Sequence, residues 1–455
     1  MVRRAVLAVL IFSNLGTPFA HAAAPPNRHP SCISTPKKKH HVLACATKAK
    51  TASRNVAATP QILPTPAPAI VIARQPSPTQ SQLQPSAQPT SAGIPPSLLS
   101  ANSTRCKLPS QNTRGDVEIG FPRIANRAAS VGVIRAAMIF VDFSDASATT
   151  DPKTLYSYFT AAPAMLRQMS YGKANLQISP DLQWHRMSET TSTYRQQLQN
   201  GFSGLRSFMS EAIALASTGV DFRKVDVVYV VSNPAAKGIA RSMAFVARPG
   251  AEITTGVTSL SNGVLFGADW SRQYAKTLVH ETSHTFGLVD DYDEAFDPLR
   301  VNDAFRFTGD FGIMGTLYGT APEYLAWESW LMGWLDDSQV DCLAPGNQTV
   351  TLTALETIGG VKVAVVPISS TTALFIESRR PIAADASLTG SGVLVYTVDT
   401  SIASAHGPLK VIGGTPANHL TDALLAVNGQ VTVGNVSVTV TGSTSTSDTI
   451  SVSVG

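Results

Sequence analysis

The stretch LVHETSHTFGLVDDYD, residues 278–293, carries His280 and His284 four positions apart, with Glu281 beside the first. The surrounding segment 271–286 contains no proline or glycine, and Tyr274, Leu278 and Phe286 help give it an apolar stripe. That pattern predicts a helix. Residues four apart on a helix share a face, so both imidazoles can reach one zinc ion. Glu281 is rotated from them but borders that face, where it can take a proton from a metal-activated water.

A catalytic zinc ion takes three protein ligands and keeps one position open. Gly287 is suited to stop the helix and turn the chain sharply. Asp290, three residues on, would then return toward the metal. A bare His-Glu-x-x-His match is a weak signal. The glycine and the aspartate at this spacing set the stretch apart from a helix that happens to carry two histidines.

Upstream, helix and strand signals alternate. Residues 130–145 and 224–233 are apolar runs rich in β-branched residues, the signature of buried strands. Residues 155–180 read as a helix, a turn at Gly172 and a strand. Residues 194–217 have helical periodicity, with Leu198, Leu205, Met209, Ile213 and Leu215 as apolar positions. Residues 257–267 form a weaker strand candidate that could line a sheet edge. This is the pattern of an α/β domain. From about residue 340 the chain becomes a series of short strands separated by Gly, Asn or Pro turns, as in a β-sandwich.

The pattern His280-Glu281-x-x-His284-x-x-Gly287-x-x-Asp290 resembles the long zinc motif of the metzincin peptidases. Aspartate as third ligand is similar to the immune inhibitor A-like (M6) family, whose members commonly carry Gly-Leu-Pro-Asp-x-Tyr-Asp. Here the run is Gly-Leu-Val-Asp-Asp-Tyr-Asp at 287–293. Val289 replaces the proline and the acids are shifted, which leaves Asp291 open as the alternative carboxylate. The runs Val141–Asp145 and Ser170–Lys173, and the segment 307–337, also resemble that family. The resemblance implies a zinc endopeptidase acting on protein or peptide. It further implies Met314 in the turn beneath the metal and Tyr318 as a group that steadies an oxyanion. Asp142, Asp145, Asp291, Asp293 and Glu294 are acids that calcium would suit, although no twelve-residue calcium loop is present. Trp327, Trp330 and Trp334 recur at helical spacing and read as core packing.

The fold class expected is therefore a metzincin-like α/β zinc-peptidase domain over 118–340, followed by a β-rich, sandwich-like domain over 341–455. Residues 1–24 read as an export signal: Arg3 and Arg4, an apolar run from Ala5 to Phe12, then Ala20-His21-Ala22. Residues 25–117, dominated by Pro, Ser and Gln, read as a disordered linker or propeptide. An exported chain with four cysteines suggests two disulfides. Of the three pairings, Cys32–Cys45 with Cys106–Cys342 is the simplest. No basic patch interleaved with aromatics occurs, which argues against nucleic acid as a partner. No apolar run reaches the roughly 18 residues needed for stable membrane insertion. The alternative function is an exported binding or adhesion protein whose peptidase-like domain is inactive.

Overall fold

The strand β1 (Gly132–Asp142) is buried continuously from Ala136 to Asp142 and pairs on both sides with parallel neighbours. A strand can be apolar on both faces only if both are covered. The chain, seen in a computed structural model that describes residues 103–111, 119–124, 126–256, 258–296 and 301–455, meets that condition with helices. After β1 come α1 (Pro152–Ser157), α2 (Ala162–Met169), β2 (Ala174–Arg186), α3 (Thr191–Leu198), α4 (Phe202–Ala216), β3 (Val227–Ser232), β4 (Met243–Val246), β5 (Ile253–Thr255), β6 (Thr258–Leu260), β7 (Asn262–Phe266) and α5 (Ala275–Phe286). The sheet order is β2-β1-β3-β7-β4, with only β4 antiparallel to its neighbour.

Alternate residues of β1 face opposite layers, as strand geometry requires. Ile134, Ala136, Met138 and Phe140 join a core with α2 and α5. Ala137, Ile139 and Val141 join another with α4, through Leu205, Phe208, Met209 and Ile213. Local signals start the helices. Asp151 accepts the Lys153 N–H ahead of Pro152, and Thr190 accepts that of Thr193. Gly201, at φ 63°, separates α3 from α4, so the single helical window at 194–217 is two helices. Leu215, expected on its apolar stripe, is exposed.

The sheet's edge strands are β2 and β4, so the 257–267 segment does not form an edge of it. In that segment β7 is buried throughout and lies between β3 and β4, while β6 pairs only with β5. The two residues beginning β4, Met243 and Ala244, are half-buried, as suits an edge.

The later region is dominated by strands. After the short helix α6 (Ala326–Leu331) come β8 (Val340–Cys342), β9 (Gly346–Thr353), β10 (Val363–Pro367), β11 (Thr372–Arg379), β12 (Gly392–Asp399), β13 (Leu409–Val411), β14 (Gln430–Val433), β15 (Val436–Ser443) and β16 (Ser447–Val454). They form two sheets, ordered β13-β12-β11-β10-β8 and β14-β15-β16-β9. Val366, Leu374 and Ile376 of the first meet Leu352, Val438 and Ile450 of the second in a shared apolar layer. The opposite face of the first sheet packs Phe375 and Tyr396 against Phe311, Trp327 and Trp330. All three tryptophans from 327 to 334 are buried, in keeping with core packing.

A disulfide joins Cys106 to Cys342, with Cα atoms 5.8 Å apart. Cys106 and Leu108 are buried in the core that includes Trp327 and Phe375. The segment assigned to the linker thus supplies core residues, because a cysteine and a leucine outweigh the polar composition around them. The export signal, Cys32 and Cys45 lie outside the described residues. Among the described residues, no helix is long and apolar enough to cross a membrane.

The disulfide constrains a separation of 236 residues in the unfolded chain. Replacing both cysteines with serine is expected to cost roughly 2–5 kcal/mol, read as a lower denaturant midpoint. An unchanged midpoint, with or without reductant, would show that the bond contributes nothing.

Candidate metal centre

The helix α5 is buried on all sides from Thr277 to Phe286. Three of its hydroxyls are satisfied locally: Thr282 donates to the Leu278 carbonyl, Ser283 to that of Val279 and Thr285 to that of Thr282. Leu278 and Phe286 enter the core, but Tyr274 does not. It stands at the helix N-terminus, half exposed, stacked on Tyr158 at 4.9 Å between ring centres.

The helix ends where the sequence turns. Gly287 has φ 107°. Its N–H donates to the His284 carbonyl at 2.9 Å, and the Leu288 N–H donates to that of Ser283 at 3.1 Å. Together these bonds make a Schellman motif, which needs the left-handed conformation glycine adopts freely. The reversal brings Asp290 back over the histidines. Its Oδ1 lies 3.3 Å from the Nε2 of His280 and 3.3 Å from the Nε2 of His284. The three ligand atoms lie within 4.8 Å of one another, and no other group of three or more His, Cys, Asp or Glu converges so among the described residues.

Several observations fit this cluster to a metal ion. Ligand atoms held tetrahedrally at about 2.0–2.1 Å from zinc are about 3.3–3.4 Å apart, the spacing Asp290 keeps from both imidazoles. Asp290 Oδ1 is buried without a hydrogen bond of good geometry. The other ring nitrogens are already engaged: His280 Nδ1 with the Ile313 carbonyl at 2.9 Å, His284 Nδ1 with the Leu288 carbonyl at 2.8 Å. A carbonyl only accepts, so each Nδ1 carries the proton and each Nε2 is free to ligate. The ligand side chains are 10, 11 and 21 % exposed.

The electrostatics separate the acids. Burial alone would raise Asp290, but His284 and close polar contact with both imidazoles hold it well below the usual carboxylate range. Burial alone would lower His284, but Asp290 and Glu281 raise it to about 9. Glu281 is pushed up to about 7 by burial, against the pull of the two histidines and with the help of Asp269 and Asp290.

The structure brings His280, Glu281, His284 and Asp290 together. Met314 is fully buried beneath α5, in the turn at 312–315, whose Ile313 carbonyl holds His280. Asp291 is outside the ligand group. Its N–H donates to the Met314 carbonyl at 3.1 Å, and its fully buried carboxyl makes no hydrogen bond. Tyr318 is 59 % exposed, and its N–H bonds to Thr316 Oγ1; no contact joins it to the cluster. The tyrosine that feels the site is Tyr292. Burial, then the charges of Asp290 and Glu281, raise its hydroxyl well above the ordinary value. It lies within the motif itself, but its residue type gave no signal.

Among the described residues, the acids that calcium would suit form no convergent group of three ligand atoms. Asp142 is gripped by Arg186 at 2.6 and 2.8 Å, Asp145 accepts from the Thr191 N–H and hydroxyl, and Asp293 pairs with Arg306 at 2.7 Å. They hold turns in place. No family model matches the chain, and no curated protein matches it.

Two measurements check the geometry. Asp290→Ala is expected to weaken zinc binding by about 100-fold or more, while Asp291→Asn changes it far less. The reverse ranking would assign the ligand wrongly here. For pH, His284 is raised from 6.5 to about 9, so its pairing stabilises the metal-free fold fully below 6.5 and is lost as pH rises through 9. Metal must displace that proton, so affinity is expected to climb about tenfold per pH unit below pH 9. Calorimetry at pH 7.5 in buffers of different ionisation enthalpy counts the released protons. None released would contradict the assignment.

Proposed function

We propose that this chain is an exported zinc-dependent endopeptidase of the metzincin kind, resembling the immune inhibitor A-like family. One observation carries the reading: a carboxylate oxygen stands 3.3 Å from each of two imidazole nitrogens, with a buried glutamate beside the first histidine. The residues that would hold zinc are His280, His284 and Asp290. When bound, the ion supplies a Lewis acid that polarises a carbonyl and acidifies water.

Glu281 supplies the proton transfers. At about 7 its carboxyl ionises near neutrality, where it can both accept and return a proton. It takes the proton from the attacking water as the new C–O bond forms at the peptide carbonyl. It then delivers that proton to the amine nitrogen as the C–N bond breaks. The substrate has a docking edge in β4, whose outer side has no strand partner among the described residues and which packs against α5. An extended peptide pairing with that edge would lie alongside the helix that carries both histidines. Export rests on the composition of residues 1–24. A binding or adhesion role leaves a buried, near-neutral acid at 281 without a use.

Glu281→Gln is expected to lower kcat/KM on a peptide substrate by about 10²–10⁴-fold and to leave zinc affinity within a few-fold. Casein or gelatin digestion by purified protein, with and without chelator, is the first assay. Equal cleavage by the variant removes the base from the mechanism. A zinc-loaded wild type that cleaves no peptide turns the reading toward binding.

A further inference from the structure

The ligand Asp290 lies in irregular chain between α5 and the turn at 312–315, where no helix or strand ladder holds it. Its backbone partners come from elsewhere. The Asp290 N–H donates to Ser404 Oγ at 3.0 Å, and its carbonyl accepts from the Ala405 N–H at 2.8 Å. Four residues on, the Glu294 N–H donates to the Ala405 carbonyl at 3.1 Å. Ser404 and Ala405 belong to the loop between β12 and β13, 114 residues along the chain from Asp290.

That loop is built to hold a fixed shape. Asp399 N–H to Pro408 carbonyl, 2.8 Å, closes its base. Ala405 is buried and takes φ 60°, a conformation other than glycine rarely adopts, which turns its N–H and carbonyl toward the metal-ligand segment. Gly407 follows at φ 82°, where a Cβ would meet the Phe307 ring at 2.8 Å. The Val411 N–H donates to the Phe307 carbonyl at 2.8 Å, fastening the far side of the loop to the segment that follows the ligands. His406 bonds back to the Ser404 carbonyl through Nδ1 at 2.8 Å, and its Nε2 lies 3.5 Å from Glu294.

We propose that Ser404, with the Ala405 backbone, is a positioning element for the third metal ligand, so that the strand-dominated region completes the metal centre. The inference rests on the metal reading above. A carboxylate ligates well only when its backbone presents it at the right place, and both backbone groups of Asp290 are fixed by this loop. Outer partners of metal ligands commonly matter about 10–100-fold in affinity.

The test compares full-length Ser404→Ala, Ser404→Thr and Ser401→Ala with wild type. Ser401 lies in the same loop and bonds only within it, to Asp399 at 2.6 Å, so its variant disturbs the loop without touching Asp290. Zinc affinity is read by chelator competition, ligand geometry by the visible spectrum of the cobalt-substituted protein, and the fold by the melting midpoint without metal. Ser404→Ala should bind zinc about 10–100-fold more weakly, with an altered cobalt spectrum and an unchanged metal-free midpoint. Ser404→Thr, which keeps the hydroxyl, should recover affinity, and Ser401→Ala should match wild type. Wild-type affinity and spectrum in Ser404→Ala overturn the proposal. So does a loss matched by Ser401→Ala or accompanied by a lower metal-free midpoint, which marks a structural role. If wild type itself takes up neither zinc nor cobalt, the metal reading fails first, and the two failures are thereby told apart.

Discussion

Three donor atoms from two differently built pieces of backbone must meet within about a tetrahedral edge of each other. A helix delivers two of them for nothing more than correct spacing. The third needs the chain to reverse within a few residues, which the left-handed Gly287 permits. The rings must also be aimed, and carbonyls of Ile313 and Leu288 fix both Nδ1 positions. Each requirement recruits another part of the molecule: the sheet beneath α5, the turn at 312–315 and the loop after β12. The architecture is the set of supports this convergence demands.

Those supports extend through a buried ionic network. Arg379, fully buried on β11, contacts Glu377 at 2.9 Å, Asp385 at 2.9 Å and Glu356 at 3.5 Å. Glu377 in turn accepts the Ala326 N–H at the start of α6, and Tyr396 accepts that of Trp327. The first N–H groups of a helix have no partner of their own. Here the strand-dominated region supplies them, so the helix following the 312–315 turn is capped from β11 and β12. Buried charges of this kind add little net stability, since desolvation offsets the attraction, but they tolerate few alternative arrangements. Their effect is to fix the register between the first sheet of the later region and the layer that carries the metal site.

The sequence was most legible where structure is local. Strands β1 and β3 are apolar runs, α5 is a periodic segment, and Gly287 ends it with a residue suited to the turn. The ligand set was legible because His280, His284 and Asp290 fall within eleven residues. What stayed hidden depends on distant pairing. That β4 and not β7 lies at an edge follows from sheet order, which a strand of four apolar residues cannot encode alone. Ser404 is an unremarkable serine until the fold brings it to Asp290. Tyr318 is implied by the resemblance alone, and its exposure separates it from the cluster, whereas Tyr292, inside the motif, is brought under the charges of Asp290 and Glu281 only by the fold.

The two carboxylates of the motif, nine residues apart, have been given opposite characters by the same buried site. Both lose solvation, which by itself favours the neutral acid. Asp290 faces the imidazole nitrogens directly, and their attraction overcomes the burial, keeping it an anion suited to a cation. Glu281 borders the same histidines on the helix without meeting them head-on, so burial prevails and its carboxyl rises to about 7. An acid held as an anion is a good ligand and a poor proton carrier near neutrality; one poised at 7 is the reverse. The division of labour between ligand and base thus follows from orientation on one helix and one turn. Exchanging the two environments, not the two residue types, is what would exchange the roles.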